Sequence, residues 1–238
     1  MKKFIEKPFF YCLTLCSFIV VAFFLAQYII AIPASLILGA SVQKTTWLAI
    51  IEALIYILFF ALLVFVLPKF FRYLKTSREE LGLNNWPTWT DLGLAIVGFL
   101  VYLFSSTLLT QIFSFLPFFD ANEAQNTGFT NLYNLGDRIL VFFLLCILAP
   151  ILEELIFRGW LYGKLRTKLS SKFSVTISIF ITSILFAFLH NQFNVGVDVF
   201  ALSVVLCILR EITGTTYSGI IIHILKNSIA FYLLFVFL

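Results

Sequence analysis

The sequence predicts an all-α fold, a polytopic membrane helical bundle of about seven (six to eight) transmembrane helices. Three observations carry this. Of the 238 residues, 61% are hydrophobic and only 12% charged, with a mean hydropathy of +1.04. Soluble domains run at about 45–50% apolar and about 25% charged. Apolar runs near the ~20 residues that a spanning helix needs recur along the chain. Basic residues also gather in alternate connections, as the positive-inside rule requires of a polytopic protein. The chain is expected to be a single integral-membrane domain, 1–238, with no separate soluble domain.

The predicted spans are 9–32, 47–67, 91–115, 139–163, 173–190, 197–212 and 215–237. The first run is too long for the h-region of a signal peptide and is read as a retained span. The first connection runs from Ala34 to Thr46. The second carries Lys69, Arg72, Lys75 and Arg78. It also holds the stretch Ser77 to Thr90, read as a short helix start, a Gly82 stop, and Trp86 and Trp89 at headgroup depth with no chemistry. The third connection is acidic, with Asp120, Glu123 and Asp137 against Arg138. The fourth carries Lys164, Arg166, Lys168 and Lys172.

Thirteen of the sixteen Lys and Arg fall on one side of this arrangement, two on the other, and Lys226 inside the last span. The expected topology therefore has a cytoplasmic N-terminus and an external C-terminus, in a bacterial plasma membrane. Cys12, Cys16, Cys146 and Cys207 all lie in apolar segments without a Cys-x-x-Cys pair, so they are read as packing residues. No nucleic-acid partner is expected, and the oligomeric state is left open.

Polar groups inside the spans are scarce. Glu153 and Glu154 are adjacent in the fourth span, and the only two histidines, His190 and His223, lie in later apolar segments. A carboxylate at bilayer depth costs at least ~2.5 kcal/mol, so two in one span mark a functional site. On a helix Glu154 and Arg158 are four apart and suited to an ion pair, while Glu153 points away from that pair. Pro150 loosens the backbone just before them.

Glu153 precedes the basic turn at Ser170–Ser171 by about 18 residues and His190 follows it by about 19, so helical arms of ~1.5 Å per residue return both to roughly 27 Å. That equal height allows a carboxylate and an imidazole to face each other. Asn227 follows His223 by four, and two donors stacked one turn apart are what an oxyanion hole needs. Phe186 and His190 are also four apart, so the ring packs beside the imidazole. Asp198, Glu52 and Lys226 are read as pairing with one another or snorkelling.

Glu-Glu-x-x-x-Arg at 153–158, Phe-x-x-x-His at 186–190 and His-x-x-x-Asn at 223–227 occur in that order on three hydrophobic stretches. This set resembles the CPBP family of CAAX proteases and bacteriocin-processing enzymes. The resemblance covers about 138–232, taken as the catalytic core, with weaker similarity in the loop from Ser77 to Leu83. It implies an intramembrane endopeptidase. Glu153 would be the general base that activates water, with His190 sharing that water. His223 and Asn227 would stabilise the oxyanion, and Glu154, Arg158 and Phe186 would support the site. The expected substrate is a membrane-associated peptide or small protein, such as a pheromone or bacteriocin precursor.

Zinc held by Glu153, His190 and His223 is the alternative mechanism. The lack of a His-Glu-x-x-His helix, and the poor ligand quality of Asn227, favour a metal-free route with no cofactor. Two other classes remain. A non-catalytic scaffold would serve bacteriocin self-immunity or sensor-kinase regulation. A proton-coupled carrier would use the buried acids and histidines as a relay, and the lack of an inverted repeat speaks against it.

Overall fold

The computed structural model describes residues 7–130, 132–169 and 173–237. Lys2, Lys3, Lys172 and the expected turn at Ser170–Ser171 lie outside them. Among the described residues every regular element is helical, and this is an all-α polytopic membrane fold. The main helices are α1 (Pro8–Leu38), α2 (Thr45–Phe70), α3 (Trp89–Phe113), α4 (Leu135–Lys168), α5 (Ser174–Phe188), α6 (Phe193–Thr213) and α7 (Tyr217–Phe235). Each matches one predicted span in order. α1, α2, α3, α4 and α7 are long and apolar enough to cross a membrane.

Several boundaries differ from expectation for local reasons. α1 continues through Pro33 and stops at Gly39, whose φ of 52° breaks the helix. α3 starts earlier because Thr88 and Asp91 form a reciprocal capping box. α5 is only 15 residues, about 22 Å at 1.5 Å per residue, which is short of the ~30 Å hydrocarbon core.

Two wide turns have a common cause. Residues Leu62–Val66 of α2 and Phe143–Leu148 of α4 are π-helical, and each segment ends two residues before a proline, Pro68 and Pro150. Proline has no N–H to give the carbonyl four residues back, and its ring clashes with that carbonyl. Widening the preceding turn relieves both problems. A third π segment, Leu155–Leu161, contains no proline. Glu153 and Glu154 therefore end a single α-helical segment, Ala149–Glu154, between two wide turns.

The chain forms two compact units. The first comprises Met1–Ser77, Phe129–Ile156 and Ile224–Leu238, and the second Arg78–Gly128 and Phe157–His223. α4 and α7 each run from one unit into the other. In the first unit Ala49 of α2, Val141, Leu144 and Cys146 of α4, and Phe231 of α7 close a core with Phe129 and Leu132. In the second, Ala95 and Tyr102 of α3 pack on Ala201, Leu202, Val205, Leu206 and Leu209 of α6, with Ile222 of α7. Ten of the 21 residues of α6 are buried, as expected for a helix that is apolar nearly all round.

α5 shows the packing logic most plainly. Ser174, Ser178, Thr182 and Phe186 recur every fourth residue and are all buried. Small residues at this spacing let a neighbouring backbone approach closely within a membrane. α6 is the principal neighbour of α5, while at the two ends of the stripe Ser174 Oγ accepts from Arg166 of α4 and Phe186 packs against Phe157 and Arg158 of the same helix.

Candidate active site

The second unit brings four of the expected residues together around one ring. Phe186 is 1% exposed, with its centroid 4.7 Å from the His190 ring and 5.9 Å from the His223 ring, both nearly perpendicular to it. Arg158 stands over its face at 4.5 Å, and Phe157 packs at 4.8 Å. Edge-on aromatic geometry of this kind fixes ring orientation. The two histidines thus share a neighbour although 33 residues of sequence separate them.

His190 departs from the expected helical placement. α5 ends at Phe188, and His190 lies in the turn that leads to α6. The helical arm expected to carry His190 to the height of Glu153 ends two residues short of it. Asn191 follows with φ 51°, a left-handed conformation that asparagine tolerates better than most residues. His190 Nδ1 is 2.8 Å from the carbonyl oxygen of Phe186. A carbonyl only accepts, so Nδ1 carries the hydrogen and a neutral ring presents Nε2 as an acceptor. The residues after His190 have defined roles: Gln192 Nε2 donates to Ala124 O at 2.9 Å, and Asn194 Nδ2 donates to Glu123 O at 2.7 Å.

The first unit holds Glu153 and Asn227. Tyr56 of α2 donates its hydroxyl to Glu153 Oε1 at 2.8 Å. Asn227 Nδ2 donates to the carbonyl of Leu145 at 2.9 Å, inside the π segment that Pro150 induces. An amide nitrogen has two hydrogens, so one donor remains for another acceptor. His223 and Asn227 lie one turn apart on α7, as the sequence indicated. Glu154 and Arg158 are 0% and 1% exposed. Among the described residues no group of three or more His, Cys, Asp or Glu side chains is arranged to hold a metal ion.

Residues 135–229 match the family model described as Type II CAAX prenyl endopeptidase Rce1-like, and that stretch contains all three motifs. Over that stretch the chain is similar to the CPBP family of CAAX proteases. It is 28% identical over 144 residues to the membrane-embedded CAAX protease MroQ of Staphylococcus aureus (strain USA300), over 59% of this chain and 55% of that relative. The chain thus spans about half the length of the curated relative it matches. No solved structure matches it.

Beside the CPBP motifs stand contacts that the sequence reading missed. Tyr56 was not singled out, because a tyrosine in an apolar span reads as ordinary packing. The only signal was Glu52 one turn earlier on the same helix. Asp198, expected to pair among Glu52 and Lys226 or to snorkel, has hydroxyl partners as well: its Oδ1 accepts from Tyr102 at 2.7 Å and from Ser106 at 2.5 Å.

The loop before α3 is also more than an anchor. Residues 78–82 form a turn, not a helix start, closed by Leu83 N donating to Arg78 O at 2.8 Å. Arg210 Nη2 donates to the carbonyls of Glu79 and Glu80, and Lys164 pairs with Glu80 at 3.1 Å. Gly82 has φ 71°, and a Cβ there would meet Thr216 N at 2.9 Å. Nearby, Arg166 bonds both carboxylate oxygens of Glu211, which also accepts from Tyr162.

Proposed function

We propose that this protein is an intramembrane endopeptidase that hydrolyses peptide bonds in membrane-associated peptides or small proteins. Glu153 takes a proton from water, and that water attacks the scissile carbonyl. His190 orients the same water through Nε2. His223 and the remaining amide hydrogen of Asn227 stabilise the tetrahedral oxyanion, where donors fixed in advance lower the barrier most. The proton held by Glu153 then passes to the leaving amine. Glu154, Arg158 and Phe186 support the arrangement, and no metal takes part.

The observation that carries this reading is the packing of both imidazoles against the buried Phe186 ring. Two histidines serving separate helix contacts need no common neighbour. Support also comes from the family match over 135–229 and from the tyrosine that holds Glu153. The basic bias of the connections supports a cytoplasmic N-terminus.

The test uses the purified chain in proteoliposomes with a library of acylated peptides, products being read by mass spectrometry. Cleavage by the wild-type chain, lost in Glu153→Gln and in His190→Ala and insensitive to exhaustive chelation, is the expected result. Loss on chelation that zinc alone restores would replace the metal-free route. A cellular phenotype retained by both variants would instead indicate a scaffold.

A further inference from the structure

We infer that Tyr56 is a positioning residue for Glu153, an inference that rests on the function proposed above. Three observations carry it. The Tyr56 hydroxyl donates to Glu153 Oε1 at 2.8 Å, and the two residues are 97 apart in sequence, so the bond is a product of the tertiary fold. Tyr56 lies in α2, outside the stretch 135–229 that carries the family motifs. The segment bearing Glu153 is also a short α-helical piece between two π turns, Phe143–Leu148 and Leu155–Leu161.

The physical argument runs from backbone to side chain. Wide turns weaken the regular i to i−4 ladder, so the backbone around Glu153 holds the side chain's direction less firmly than a continuous α-helix would. A glutamate has three side-chain torsions and correspondingly large rotamer entropy to lose. A base that must meet water at a set angle needs that freedom removed. A phenol is rigid beyond two torsions, so its hydroxyl is a well-placed peg. Donation to Oε1 fixes the plane of the carboxylate. Tyr56 moves no proton to the substrate in this scheme and touches no reacting atom.

Tyr56→Phe removes the hydroxyl alone, and 3-fluorotyrosine at position 56 restores it. Both are compared with the wild-type chain in proteoliposomes, using an internally quenched, palmitoylated fluorogenic peptide taken from the library above. A second readout is the rate at which dicyclohexylcarbodiimide modifies Glu153, followed by peptide mass spectrometry. This reaction needs a carboxyl oxygen to attack the reagent, and Oε1 is occupied while the tyrosine donates to it.

Tyr56→Phe is expected to lower kcat about 10- to 100-fold with KM within about twofold. The melting temperature should hold within a few degrees, modification of Glu153 should quicken several-fold, and 3-fluorotyrosine should return all values toward wild type. Wild-type kinetics and labelling in Tyr56→Phe would overturn the inference while leaving the protease reading intact. A parallel fall in kcat and melting temperature, with labelling unchanged, would assign Tyr56 to packing alone and also overturn it. A wild-type chain that cleaves no peptide in the library would remove the protease reading, and this role with it.

Discussion

The guanidinium of Arg158 stands 4.5 Å over the ring of Phe186, and both side chains are 1% exposed. A desolvated cation on an aromatic face is worth about 2 kcal/mol. Because His190 and His223 contact the same ring, one side chain sets the orientation of three polar groups. Phe186→Leu should therefore cost catalysis more than folding. The expected stability loss is about 1–3 kcal/mol. Turnover should fall by about tenfold or more, with KM little changed, as measured by steady-state cleavage beside thermal unfolding in detergent. Equal losses of kcat in Phe186→Leu and in an unrelated variant of the same stability would remove this role.

Lys164 and Glu80 form an asymmetric pair. The side chains are 2% and 19% exposed, respectively. Removing the carboxylate takes an ion-pair partner from the more deeply buried charge, which costs about 3 kcal/mol or more. Glu80→Gln should thus destabilise more than Lys164→Met, and the double variant should recover part of the loss. Thermal melts of the four proteins decide the order. The reverse ranking would mean that the ammonium reaches water by another route.

Two glycines allow a control of sign. In a helix interior alanine is favoured over glycine by about 1 kcal/mol. Gly93 of α3 has no atom within 4 Å of a built Cβ, so Gly93→Ala should raise the melting temperature. At Gly163 the added carbon would lie 2.6 Å from the carbonyl oxygen of Glu80. Gly163→Ala should lower stability by about 1–3 kcal/mol, because backbone must move to admit the methyl. A gain at both positions would show that the 78–83 turn yields readily.

Pro150→Ala returns an N–H to the helix and removes the ring clash. The turn Phe143–Leu148 is then expected to tighten, turning the residues before it by about one residue's worth, ~100°. Leu145 would swing away from Asn227, whose amide now donates to its carbonyl. Expected together are an unchanged or higher melting temperature and cleavage reduced about tenfold. Full activity with retained stability would mean that the wide turn serves no purpose at the site.

Much of this could be read along the chain. Apolar run length and the scarcity of charge located all seven helices, because both follow from the bilayer's thickness and low polarity. His190 and His223 were legible for a related reason, since the chain has so few polar groups in its spans that each stands out, and Phe186 was legible from its place four residues before His190. The π turns were not legible, although Pro68 and Pro150 marked where to look, because a proline tells where the ladder breaks and not how the break is repaired. His190 was placed in a helix because its neighbours are apolar, while the turn comes from backbone geometry at Asn191. Tyr56 and the Glu80–Lys164 pair are contacts between distant segments, and no local pattern records them.

The tie between Thr216 N and Gly82 O at 3.3 Å, with Arg210 on the carbonyls of Glu79 and Glu80, has a practical consequence. Epitope tags or reporter fusions inserted at 78–83 would dismantle the very fold whose topology they were meant to report. The neighbouring tip around the exposed Trp86 is the safer point of entry for such insertions.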